Sequence, residues 1–138
     1  MGLSIRDLEI FKPYATEFPE ELLLNEGADD SVLTLWLQAP ILRVIKHGET
    51  VLGAYAMQQH DPATFYLHGV VIFPRHRRQG VGRWFTGHAL GVAESKGGRR
   101  VLHAPGPWRT RLSGMFTQMG FVEHRPGGSV LRFDLIPE

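Results

Sequence analysis

Arg77-Arg78-Gln79-Gly80-Val81-Gly82 is the stretch that decides the fold, because it joins two segments of different character. The β-branched and aromatic run before it, residues 66–73, ends at Pro74 and predicts a strand, since proline cannot continue a ladder. Beyond it, apolar residues recur at helical spacing until Gly97-Gly98, which predicts a helix. A glycine turn at a helix start exposes backbone N–H groups and favours a phosphate.

Two common phosphate-binding motifs do not fit this stretch. A P-loop needs Lys and then Ser or Thr after its second glycine, whereas Arg83 and Trp84 follow Gly82. A dinucleotide fingerprint needs Gly or Ala three residues after Gly82, where the sequence has Phe85. Neither a P-loop nor a dinucleotide fingerprint therefore accounts for this stretch.

The pattern R-x-x-G-x-G, directly downstream of V-V-I-F-P, resembles the acetyl-CoA signature of the GNAT superfamily of N-acetyltransferases. The resemblance extends from about Leu42 onward and includes Met119-Gly120-Phe121-Val122, which matches the junction before the family's last strand. It implies an α+β (mixed α/β) fold with a mostly antiparallel central sheet of six to seven strands and about four helices. It also implies that the fourth and fifth strands splay apart to admit the acyl-pantetheine arm.

Length and composition narrow the class of protein. The 138 residues predict one domain spanning 1–138. The chain has no cysteine, which excludes disulfides, a cysteine nucleophile and thiolate metal sites, and no metal is expected. Neither an 18-residue apolar span nor a basic, apolar leader is present, so the expected protein is cytoplasmic and makes no membrane contact.

The charge is unevenly distributed. Residues 1–69 hold 4 Lys and Arg against 10 Asp and Glu, and residues 70–138 hold 11 against 4, although the whole chain has a net charge of only +1. The basic half suits coenzyme A, and the acidic half suits an amine-bearing acceptor. Nucleic acid is not an expected partner, because the chain is not strongly basic overall and lacks a clear stacking platform or recognition helix.

The remaining helices and strands are predicted from local hydrophobic periodicity and from residues typical of helix ends and turns. Gly87 and Gly91 interrupt the signature helix, which predicts close contact between that helix and the sheet. An uncovered sheet edge near the carboxyl terminus would allow a homodimer. The predicted elements are strands at Ser4–Ile10, Leu42–Lys46, Val51–Gln59 and Arg100–His103, helices from Pro19, over Ser31–Gln38 and over Trp108–Met119, and a closing pair of strands around 126–128.

The resemblance assigns the cofactor site residue by residue. The backbone from Gln79 to Arg83 would face the pyrophosphate, and arginine suits phosphate because its planar fork binds two oxygens. The main chain before Pro74 would pair with the pantetheine arm as an added strand. The implied cofactor-binding residues are Val70, Val71, Ile72, Arg77, Arg78, Gln79, Gly80, Val81, Gly82 and Arg83.

His68 is the predicted catalytic base. It lies six residues before Pro74, where many family members carry a glutamate that deprotonates the incoming ammonium. An imidazole with an ordinary pKa near 6.5 can do this work at neutral pH. His103 and Glu123 are alternatives for the same role.

The sequence departs from the family at Phe116. Members commonly carry a tyrosine there that donates a proton or hydrogen bond to the departing thiolate, and Ser113 and Thr117 are the nearby hydroxyls. The predicted activity is acetyl transfer from acetyl-CoA to a primary amine of a small molecule or peptide by direct attack on the thioester. The alternative is a non-catalytic acetyl-CoA-binding regulator of a protein partner, which Phe116 favours.

Overall fold

A computed structural model of the protein describes residues 8–77, 80–104 and 109–135, with the side chains of 109–111 left out. Within these ranges the fold is α+β, with seven strands and four α-helices, which confirms the predicted class. The strands are β1 (Leu8–Phe11), β2 (Ile41–His47), β3 (Thr50–Asp61), β4 (Thr64–Ile72), β5 (Arg100–His103), β6 (Val122–Glu123) and β7 (Leu131–Asp134). The helices are α1 (Glu20–Asn25), α2 (Asp30–Leu37), α3 (Val81–Ser95) and α4 (Arg109–Met119).

The strands form one sheet in the order β1-β2-β3-β4-β5-β7-β6. Strands β1 to β4 are consecutive antiparallel neighbours: β1 and β2 are connected through α1 and α2, whereas tight turns join β2 to β3 and β3 to β4. The pairing of β4 with β5 is parallel, and α3 supplies the crossover that parallel neighbours require. Helix α3 therefore starts close to the end of β4, where the signature stretch lies.

Alternation along the strands assigns side chains to the two faces of the sheet. The ring of Tyr55 on β3 packs against Phe85 of α3, with ring centroids 4.8 Å apart. Tyr55 is opposite Val70 of β4, so Val70 and Ile72 share the face that carries α3. Gln58 of β3 lies on the opposite face of the sheet.

Helices α1 and α2 each contribute buried side chains to the core. Leu22 and Leu23 of α1 and Leu33 and Trp36 of α2 are almost completely buried. The Asp29 carboxylate accepts a hydrogen bond from the Val32 N–H at 3.0 Å and so caps α2. No helix in the described part of the chain has the length and apolar character needed to cross a bilayer.

The prediction that Gly87 and Gly91 bring α3 close to the sheet is wrong. Both glycines are exposed, and a Cβ at either would meet nothing within 4 Å. The close contact lies instead at the end of α3, where a Cβ on Gly98 would be 2.8 Å from the Phe65 ring. Gly87 and Gly91 are therefore interior helix positions without a packing reason for glycine.

Candidate active site

A cavity of about 490 Å³ opens where β4, the start of α3 and α4 meet. Six of the predicted cofactor-binding residues line it: Val70, Ile72, Arg77, Gly80, Gly82 and Arg83. The side chains of Val71 and Val81 are buried in the core, and Arg78 and Gln79 lie outside the described residues. Helix α4 adds Leu112, Met115 and Gln118, which the sequence analysis did not assign to the site.

The start of α3 forms one wall of this cavity. Gly80 precedes the helix in the left-handed conformation, with φ of 78°, which glycine adopts without strain. Gly82 lies in the first turn, where a Cβ would be 3.5 Å from Met115 Sδ and 3.6 Å from Ile72 Cγ1. The first-turn N–H groups and the positive end of the helix dipole thus border this cavity, an arrangement that favours an anion.

Arg77 is held by two groups at the cavity wall. Its Nε donates to the Ile72 carbonyl oxygen at 2.9 Å, and its Nη2 is paired with the carboxylate of Glu26 at the end of α1. The second contact has no signal in the local sequence, because the partners are 51 residues apart. Arg77 therefore connects the glycine turn to β4 and to α1.

The ladder between β4 and β5 is short. It pairs only Thr64–Tyr66 with Arg100–Leu102, whereas β4 continues for six residues beyond Tyr66. Along this second half of β4 the edge on the side of β5 carries no strand partner among the described residues. An extended chain in the cavity can therefore add to β4 as a further strand.

His68 occupies a β-bulge on β4. Gly69 is opposite Ala56 and Leu67 is opposite Met57, so His68 is the extra residue. Its Nε2 lies 3.1 Å from Oε1 of Gln58, which places the imidazole on the face of the sheet opposite α3. Since an amide oxygen only accepts, Nε2 carries a proton in this contact, and in the neutral ring Nδ1 then keeps its lone pair.

The environment of His68 favours its neutral form. Burial lowers the pKa of the imidazole, and the neighbouring His103 lowers it further. His68 is half-buried and therefore partly open to solvent, but it does not line the cavity. A neutral imidazole with a free lone pair can accept a proton at neutral pH.

Phe116 lies in the core and does not line the cavity. Its side chain is completely buried, stacked on Phe121 with ring centroids 4.7 Å apart and edge-on to His103 at the same separation. The phenyl ring offers no proton donor. The two alternative bases lie in different parts of the fold. His103 is buried beside Phe116, whereas Glu123 accepts a hydrogen bond from the Gly127 N–H at the far edge of the sheet.

In the described part of the chain, no group of three or more His, Cys, Asp or Glu side chains is arranged to hold a metal ion. The cavity is lined by two glycines at the start of α3, two arginines, four apolar side chains and Gln118, and His68 is not among these lining residues.

The sequence matches the family described as Acetyltransferase (GNAT) family over residues 5–121. The chain belongs to the GNAT acetyltransferase family. This match confirms the resemblance first seen in the glycine stretch and covers both the bulged strand and the cavity walls. A comparison with curated protein sequences gives no match.

Solved structures share the GNAT fold along nearly the whole chain. A GNAT family acetyltransferase from Elizabethkingia anophelis with acetyl-CoA bound has a TM-score of 0.80 and 16% identity, over 94% of this chain and 99% of the other. An IAA acetyltransferase from Bacillus cereus has a TM-score of 0.78 and 17% identity, over 93% and 99%. The ribosomal-protein-S18-alanine N-acetyltransferase from Escherichia coli has a TM-score of 0.72 and 13% identity, over 95% and 96%. At these identities the likeness establishes the fold.

Proposed function

We propose that this GNAT family member transfers an acetyl group from acetyl-CoA to a primary amine of a small molecule or peptide. The observation that carries the proposal is the position of the cavity between a helix start and a free strand edge. The helix start suits the pyrophosphate, and the strand edge suits the amides of pantetheine. The related Elizabethkingia anophelis structure holds acetyl-CoA, which supports this ligand. We propose that residues 1–138 act as one domain.

We assign cofactor binding to the residues predicted from the sequence. The first-turn N–H groups of α3, with Arg83 and Arg77 beside them, would hold the pyrophosphate by charge-assisted hydrogen bonds. The main chain of Val70, Val71 and Ile72 would pair with pantetheine, and an N–H of this edge would polarise the thioester carbonyl.

We assign the base to His68. Nδ1 of its imidazole would take the proton of the incoming ammonium, directly or through water, while Gln58 holds Nε2. The neutral amine then attacks the thioester carbon, the C–N bond forms, and the C–S bond breaks. The nitrogen loses one proton as the amide forms and the departing thiolate takes up one proton, so that one amide and one thiol are formed, while the proton held by His68 passes to solvent.

The test is thiol release from acetyl-CoA with an array of amines, using the wild-type protein and His68→Ala. We expect release with at least one amine and a loss of about 10²-fold or more in His68→Ala. A rise in melting temperature with coenzyme A alone tests binding separately. No rise with coenzyme A would reject the cofactor assignment, and full activity of His68→Ala would reject the base.

Phe116 supports a second candidate, a GNAT-fold module that binds acetyl-CoA and regulates a protein partner. The completely buried phenyl ring cannot donate a proton to a departing thiolate. Saturable binding of acetyl-CoA without thiol release from any amine would favour this candidate over the enzyme.

A further inference from the structure

His103 lies where strands β4 and β5 separate. It is the last residue of β5 and follows Leu102, whose partner Tyr66 is the last residue of β4 in the parallel ladder. On its other side β5 remains paired, with His103 opposite Leu131 of β7. The backbone of β5 is thus fixed at His103, while the link from β5 to β4 has ended.

The His103 side chain continues that link. Its Nδ1 lies 2.9 Å from the carbonyl oxygen of Leu67 on β4. A carbonyl oxygen only accepts, so Nδ1 is the protonated nitrogen and donates. His103 Nε2 is buried and has no hydrogen-bond partner within the described part of the protein. The hydrogen bonding of this imidazole is therefore confined to Nδ1.

The Leu67 carbonyl belongs to the same peptide unit as the His68 N–H. The peptide is planar and trans, so its C=O and N–H point in opposite directions. A hydrogen bond that holds the Leu67 C=O toward β5 consequently turns the His68 N–H toward β3. Gln58, which binds the His68 ring, lies on β3.

A bulge needs such support, because its extra residue is left out of the regular ladder. His68 is the extra residue on β4, and the peptide that leads into it has lost its partner on β5. We propose that His103 is a positioning residue for His68: its Nδ1–H holds the Leu67–His68 peptide and so sets the bulge and the direction of the His68 imidazole. This inference rests on the proposed function of His68.

The surroundings of His103 determine its orientation and its protonation. Its ring is packed edge-on against Phe116, and its side chain is 3% exposed. Burial lowers the pKa of His103, whereas the hydrogen bond to Leu67 raises it. The titratable group that faces His103 is His68. A positive charge on His103 would oppose protonation of the His68 base.

Three substitutions separate this role from simple packing. The amide nitrogen of Asn lies close to the position of imidazole Nδ1, whereas that of Gln lies closer to Nε2, and Leu has no donor. We expect His103→Asn to keep kcat within about threefold. We expect His103→Gln and His103→Leu to lower kcat by about ten- to a hundredfold, the scale of a small misplacement of a catalytic group, with the Kd of coenzyme A little changed.

A second readout does not depend on turnover. Nitrogen-15 NMR of the histidine rings reports the tautomer of His68, which we expect to be Nε2–H in the wild-type protein and in His103→Asn, and mixed in His103→Gln and His103→Leu. The exposed His47→Asn is the control for loss of a histidine. Equal kcat in the Asn and Gln variants, or an unchanged His68 tautomer in His103→Leu, would overturn the proposal. Inactivity of the wild-type protein would reject the proposed function, while the tautomer measurement would still test His103.

Discussion

The carboxylate of Glu26 is paired with the guanidinium of Arg77 at the wall of the cavity. Both side chains are largely buried, with 15% and 27% of their surface exposed. The pair ties the end of α1 to the segment that leads into α3. A phosphate that binds beside Arg77 therefore enters a place where a carboxylate already neutralises the arginine.

Replacing Glu26 with Gln should strengthen coenzyme A binding. The substitution removes a negative charge next to the phosphate site, so the charge of the guanidinium is no longer neutralised and attracts phosphate oxygens more strongly. We expect Kd to fall by about three- to tenfold, or roughly 1 kcal/mol, in isothermal titration calorimetry. Glu17→Gln is the matched control, because Glu17 is paired with Lys46 and does not line the cavity. An unchanged Kd in Glu26→Gln would show that the pair does not oppose binding.

The pH profile of the proposed reaction should show the titration of His68. Burial lowers its pKa below the ordinary value of 6.5, so the base stays neutral until the pH falls below that value. We expect kcat/KM to be limited by His68 only on an acid limb below about pH 6.5.

Two acceptors with different amine pKa values separate this limb from titration of the substrate. The limb of His68 should keep its position with both acceptors and be absent in His68→Ala. A limb that moves with the acceptor belongs to the amine, and its presence in His68→Ala would contradict the assignment of the base.

Gln58→Glu should move the same limb to higher pH. A carboxylate at Gln58 Oε1, 3.1 Å from Nε2 of His68, stabilises the imidazolium by opposite charge. We expect a rise of about one pH unit in the acid limb and in the NMR titration of the ring. Gln59→Glu is the control, since the exposed Gln59 is its neighbour on β3 and points to the other face. A limb that stays in place would mean that Gln58 does not contact the working imidazole.

Gly87→Ala and Gly91→Ala should each stabilise the protein. Both are exposed positions inside α3 where a Cβ meets no neighbour, and Ala is favoured over Gly in a helix by about 1 kcal/mol. Denaturant titration should record an increase of about that size in the free energy of unfolding. Gly53→Ala is the opposite control, because its Cβ would lie 2.2 Å from the Val71 carbonyl oxygen. Destabilisation at Gly87 or Gly91 would contradict the open space around them.

The sequence predicts the elements whose signals are local. The strand Arg100–His103 and the start of α3 were both predictable, since proline and glycine mark their ends. Features that depend on register or on distant partners were not predictable. The bulge at His68 arises from pairing with β3, and the partner of Arg77 comes from α1. The cavity residues of α4 depend on how that helix is placed, which periodicity does not determine.

The three-residue parallel ladder between β4 and β5 has a consequence for folding. Strands β2, β3 and β4 are joined by tight turns, so these three strands can form from contacts of low sequence separation. Strand β5 must cross over through the whole of α3 before it can pair, and it gains few hydrogen bonds with β4 when it does. We therefore expect the amide hydrogens of β3 to exchange more slowly than those of β5, and the junction between β4 and β5 to assemble after the hairpins of β2, β3 and β4.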